Sequence, residues 1–192
     1  VVVPGGASVD PPGKEGLASL VANLLDEGAG GKGALELART FEALGAQVKT
    51  GAVADYSFAQ LTVLRRNLVA ALVPFSDVVA RPSFTAADFT RVKELWTNDL
   101  RARKNDPGEV ARVAGLRVRY GADHPYGHPT DGTPRGAAAI ALNDVRDLYG
   151  KTFRPERTTL VVVGDVDRKA LEDELLPAFG SYVGARGATL AA

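Results

Sequence analysis

Cysteine and methionine are both absent from the 192 residues, and there are only two histidines and one tryptophan. Without cysteine there can be no disulfide and no thiolate metal site, and the redox compartment is left undetermined. No apolar run approaches the roughly 18 residues of a membrane span, and no signal-peptide pattern opens the chain. Charge of one sign is also lacking. Lys plus Arg and Asp plus Glu number 23 each, so nothing global points to nucleic acid or to an anionic membrane. Composition does not explain the missing methionine. The chain opens on Val1-Val2-Val3, which reads as the end of a strand. The expectation is therefore a piece of a longer protein, truncated at its N-terminal strand.

What is present fits one globular domain over 1–192, with 45% hydrophobic and 24% charged residues and a length able to bury a substantial core. Val1 to Val9 reads as extended, interrupted by Pro4-Gly5-Gly6, and Asp10-Pro11-Pro12-Gly13 as a turn. A helix then runs toward Gly28. Gly28-Ala29-Gly30-Gly31-Lys32-Gly33 is a connector, since no strand-loop-helix phosphate motif surrounds it. A helix over about 34–44 stops at Gly45. Strands are predicted over 46–54 and 55–64, the second by alternation. A helix over 67–80 carries Pro74, which predicts a kink or an early break. Thr85 with Asp88 forms a loose capping box for a helix to about Lys104. Helices over 109–120, 142–149 and 167–179, a Pro/Gly-rich loop over 121–136 and a doubly buried strand over 158–163 complete the reading. Residues 181–192 read as the start of an interdomain linker. The class is α+β, with helices packed on a mixed or antiparallel β-sheet.

The first helix holds the candidate chemistry. Leu17, Leu20, Val21, Leu24 and Leu25 recur at helical spacing. Ser19, Ala22 and Asn23 stand at i, i+3 and i+4, so they share a face of their own. That face looks like an emptied site.

Several segments together resemble the pitrilysin-like zinc peptidases, which include the mitochondrial processing peptidases. They are Gly16-Leu17-Ala18 with Leu24-Leu25 and Gly28, Leu44-Gly45-Ala46, Arg81-Pro82-Ser83-Phe84, and His124-Pro125-Tyr126-Gly127-His128-Pro129 with Gly132. Tyr149 with Phe153-Arg154-Pro155, and Thr159 to Val166, complete the set. Active members carry His-x-x-Glu-His on the first helix, two zinc ligands with the general base between them. By this resemblance the two ligand positions are Ser19 and Asn23, and the base position is Ala22. The third ligand, a glutamate in the family, falls on Asp99. Asp99 also lies seven residues from Val92, close to the buried face of its helix. The resemblance implies that the four positions meet at one cleft.

Catalytic zinc takes three imidazole or carboxylate ligands and a water. A hydroxyl, a methyl group, an amide and a single carboxylate do not supply them. The resemblance thus implies a degenerate domain: no catalytic residue, no metal ligand, no cofactor, with the family's zinc lost. It further implies an active pitrilysin-like domain or subunit as partner and a peptide substrate held in a shared chamber. A non-proteolytic structural subunit built on the same fold is the alternative, and an active zinc hydrolase using unexpected ligands is a third. Bacterial members are often exported, which by resemblance points to the periplasm. The residues themselves leave the compartment open.

Other constellations carry less. His124 and His128 have a helical metal spacing, but Pro125, Gly127 and Pro129 forbid a regular helix. A Ser19–His124–Asp99 triad can be drawn, yet nothing in the sequence brings His124 to Ser19. Arg101, Arg103, Lys104, Arg112, Arg117 and Arg119 are interspersed with acids and read as a solvated helix face. Gly164-Asp165 reads as a strand-ending turn.

Overall fold

The computed structural model describes residues 1–184. Its sheet has three strands, β1 (Val2–Pro4), β5 (Tyr56–Thr62) and β4 (Gln47–Ala52), in that spatial order and antiparallel throughout. Val2 opposes Phe58 on one side of β5, and Val48 opposes Leu61 on the other. Alternation explains the orientation of β5, for Ser57 and Ala59 are buried while Tyr56 and Gln60 face out. The glycine-rich connector closes a two-residue hairpin between β2 (Gly28–Ala29) and β3 (Lys32–Gly33).

Eight helices are described. α1 spans Leu17–Leu24, α2 Ala34–Ala43, α3 Leu68–Ala80 and α4 Ala86–Ala102. α5 spans Pro107–Tyr120, α6 Pro134–Ala139, α7 Leu142–Thr152 and α8 Arg168–Gly184. α1 is the hub, in contact with α4, α7, β4 and β5. Elsewhere α3 packs on α8, with Phe75 and Phe179 edge to face at 6.3 Å. The Thr85 cap forms as expected, its hydroxyl accepting from the Asp88 amide at 3.1 Å.

Several expectations need correction. The opening extended run is only three residues of strand, followed by a 3-10 turn over Ala7–Val9. α3 runs unbroken across Pro74. Proline deprives the carbonyl of Ala70 of its donor, and Ala70 is exposed, so water can take that carbonyl. α5 starts at Pro107 because Asp106 caps it, accepting from the amides of Gly108 and Glu109. α6 interrupts what read as loop, capped by Thr133.

The largest departure is at 158–163. Only Thr159 bridges to the sheet, opposite Val2. Val161 is 62% exposed and Val163 93%, so this apolar run is neither a regular strand nor buried. α8 extends through Gly184, over the first four residues of the segment read as a linker. Residues 185–192 of that expectation lie outside the described residues.

Two of the segments that carry the resemblance act as latches. Phe84 is buried at a positive φ of 43°. Its carbonyl accepts from Arg146 at 3.0 Å, and its ring stands edge-on to Tyr149. Tyr149 stacks in turn on the fully buried Phe153. Among the described residues no helix is long and apolar enough to cross a membrane.

Candidate functional site

α1 is not the two-sided helix that its periodicity predicts. Every residue from Leu17 to Leu24 is buried except Asn23. The apolar stripe faces the core, and the opposite face lies under other elements. A helix apolar on most of its circumference belongs in an interior.

Its N-terminus is built by Asp10. The carboxylate accepts from the amides of Gly16 at 2.7 Å and Ala18 at 2.8 Å, two donors that the helix cannot satisfy itself. Burial raises the Asp10 carboxyl to about 6, against these two amides and His128, which favour its charged form, while Glu15 adds to the rise.

At the same point two glycine backbones cross. Gly16 has φ 99° and Gly132 φ 90°. A Cβ on Gly16 would stand 2.6 Å from the Trp96 ring and 2.7 Å from Gly132 Cα. A Cβ on Gly132 would stand 2.4 Å from the Glu15 carbonyl. Only glycine permits both the dihedral and the approach.

The strand of loop delivered by this crossing, Thr130-Asp131-Gly132, lies over the first motif position. The Ser19 hydroxyl donates to the Thr130 carbonyl at 2.8 Å. Trp96 of α4 donates through Nε1 to the next carbonyl, that of Asp131, at 2.9 Å. Arg103 donates to the Gly132 carbonyl at 3.1 Å and pairs with the Asp131 carboxylate. Three consecutive residues are thus tied to α1, to α4 and to the chain just beyond α4.

The four motif positions lie on two helices in direct contact, α1 and α4. Ser19 is buried and Ala22 is 0% exposed, whereas Asn23 and Asp99 are exposed. Asp99 therefore lies off the buried face of α4, correcting the expectation drawn from its spacing to Val92. That face is the i, i+4, i+8 seam of Val92, Trp96 and Leu100, and Asp99 sits one residue, about 100° of helix, away from Leu100. Among the described residues no group of three or more His, Asp or Glu side chains is placed to hold a metal. The donor set does not fit zinc. One hydroxyl has its proton on a carbonyl, one position is a buried methyl group, and one amide and one carboxylate point outward.

The histidines are engaged elsewhere. His124 is exposed, stacks on Tyr120 and accepts from the Tyr126 amide at 3.0 Å. His128 lies near Asp10, whose charge it favours. The triad drawn from Ser19, His124 and Asp99 does not match these partners. The basic stretch is largely exposed, with Arg103 and Arg112 held in a network with Glu109 and Asp131.

Sequence reasoning missed Asp10 and the Thr130–Gly132 strap. Asp10 lies in a Pro/Gly turn, where an acid is unremarkable. The strap left one signal, Gly132 after the His-Pro segment, but a glycine does not name the backbone it crosses.

Comparison with known proteins places this geometry. The family model for insulinase, peptidase family M16, matches residues 1–117. An uncharacterized zinc protease of Mycobacterium leprae is 23% identical over 171 residues, 89% of this chain and 37% of that protein. A protein of Helicobacter pylori described as a non-peptidase homolog, YmxG, is 24% identical over 162 residues, 84% of this chain and 37% of its own length. The chain thus spans well under half of these curated relatives. Among solved structures, the peptidase M16 inactive domain from Pseudomonas fluorescens superposes with a TM-score of 0.87 at 28% identity, covering 100% of this chain and 46% of that one. Pitrilysin shares the fold at a TM-score of 0.78 and 19% identity, over 94% of this chain and 20% of its own. The pitrilysin-like resemblance of the sequence is confirmed, and the chain belongs to the insulinase family of peptidases, family M16.

Proposed function

We propose that this chain is a pseudo-peptidase domain of a zinc protease, one that supports an active zinc-peptidase domain or subunit and helps enclose its peptide substrate. The observation that carries the reading is the state of the motif face on α1. The general-base position is the fully buried methyl group of Ala22, and the hydroxyl at the first ligand position is committed to the Thr130 carbonyl. The similarity to an inactive M16 domain and to a non-peptidase homolog supports it.

The sheet offers a means of contributing to a peptide chamber. β4 pairs with β5 alone among the described residues, so its outer edge presents backbone donors and acceptors. An extended peptide can add to such an edge as a further strand.

The test has two parts. Metal analysis and a peptidase assay on the chain should find neither stoichiometric zinc nor turnover. Zinc that binds one to one and is lost on Asp99→Ala would overturn the inactive reading. Affinity purification from the native host should recover a family member carrying His-x-x-Glu-His, unless the same open reading frame encodes one. Finding neither would remove the supporting role.

A further inference from the structure

α5 is the helix that packing leaves unexplained. None of its residues is buried. At about 100° per residue its sides sort cleanly. Glu109, Val113 and Leu116, which are partly covered, fall together on the side toward the body. The opposite side carries Val110, Ala111, Ala114, Gly115 and Val118, all exposed. Val118 is 88% and Val110 48% exposed, and a Cβ on Gly115 would meet nothing within 4 Å. A surface helix ordinarily turns its polar side to solvent. Here the side farthest from the body is apolar from end to end.

Positive charge runs along both margins of this face. Arg117 borders it on one side, Arg112 and Arg119 on the other, each about a quarter turn or slightly more from its centre. Neither margin carries an acid. Glu109 stands on the body side and accepts from Arg112 at 2.7 Å, and Asp106 is spent on the N-terminal cap.

The helix is fixed at its ends rather than by burial. At the start, Arg103 reaches Glu109 at 3.6 Å and pairs with Asp131. At the finish, Tyr120 stacks on His124 and meets Tyr126 edge to face. The Tyr126 hydroxyl donates in turn to the Asp55 carboxylate at 2.6 Å. A helix held in place before contact loses little freedom on binding.

We infer that α5 is a docking helix, which seats in an apolar groove rimmed by carboxylates on a partner protein. Val110, Ala114 and Val118 are its anchors at i, i+4 and i+8. Charge decides among occupants, because arginine on both margins calls for acids across the contact. A second copy packed face to face would set arginine against arginine. A helix that lies in a membrane surface inserts Trp, Phe or Leu, and this face has none of them. Neither zinc nor a peptidase partner is required for such docking, so its failure would leave the pseudo-peptidase reading intact.

Photocrosslinking in the native host tests it, with benzoylphenylalanine in place of Ala114 in the protein as the host makes it. The crosslink should map to one protein surface, an apolar groove with Asp or Glu at its rim. Arg117→Glu together with Arg119→Glu should lower the yield at least about tenfold, and reversing the facing acids to Arg should restore it. Val118→Glu should lower it as far while leaving the melting temperature of the purified chain unchanged, which separates lost docking from lost folding. A yield no higher than that from a crosslinker at Leu35, which is 65% exposed on α2, would overturn the inference. So would a crosslink to a second copy, to lipid, or to a surface without acids, and so would a yield that survives the two arginine reversals.

Discussion

The substitution Ala22→Glu is the sharpest probe of the proposed pseudo-peptidase reading. Ala22 has no exposed surface, and α1 is packed by α4, α7 and the sheet. A glutamate there meets two costs. Its four added heavy atoms (Cγ, Cδ, Oε1 and Oε2) overpack a filled interior, at about 1–3 kcal/mol. Its carboxylate would be desolvated at a fully buried position, so the folded state keeps it protonated. An unfolded glutamate titrates near 4.3, so holding the proton costs about 3.7 kcal/mol at pH 7 and about 1 kcal/mol at pH 5. The sign follows from the raised folded pKa: the folded state binds more protons than the unfolded one, and stability falls as pH rises above about 4.3. The total at pH 7 is about 5–7 kcal/mol, the size of the whole stability of many domains. Urea unfolding of variant and parent at pH 5 and pH 7 measures it. The deficit of the variant should be about 2–3 kcal/mol larger at pH 7. A deficit under about 1 kcal/mol at both pH values would refute the reasoning. Position 22 would then open to a cleft with room for a longer side chain.

Other predictions follow from the same site. Asp10→Asn should flatten the pH dependence of stability between about 4 and 6, because the parent, with its Asp10 carboxyl raised to about 6, loses stability as pH rises through that window. Equilibrium unfolding from pH 4 to pH 7 reads this, and a parent that is pH-independent there would contradict it. Gly16→Ala should cost at least about 2 kcal/mol, since φ 99° and a 2.6 Å approach to Trp96 both oppose a Cβ. The same change at Gly13, whose Cβ would meet nothing within 4 Å, should cost clearly less by thermal melting. Ser19→Ala removes one donor to the Thr130 carbonyl at 2.8 Å and should cost about 1 kcal/mol, with faster proteolysis of the 121–133 loop as the local readout.

The legible parts of this protein were those with local causes. Helical periodicity located α2, α3 and α4, because apolar residues three and four apart have one way to reach a core. The Thr85 cap and the turn at Gly45 were legible because a hydroxyl before an acid, and a glycine after a leucine, satisfy helix ends within a few residues.

What the sequence left undecided depended on partners far along the chain. The 158–163 run has every local mark of a buried strand, but pairing is a property of two segments, and only Thr159 finds one here. α1 has the pattern of a half-buried helix, yet it is enclosed because α4, α7 and two strands converge on it. Burial of Ala22 and exposure of Asp99 follow from that enclosure and from the seam that α4 presents, not from spacing along either helix. Asp10, Gly16 and the Thr130–Gly132 strap meet across more than a hundred residues of chain. Sequence alone therefore determined most of the helices and the family likeness. Tertiary structure alone decided that Ser19 and Ala22 are packed while Asn23 beside them is exposed, because packing is set by what arrives from elsewhere in the chain.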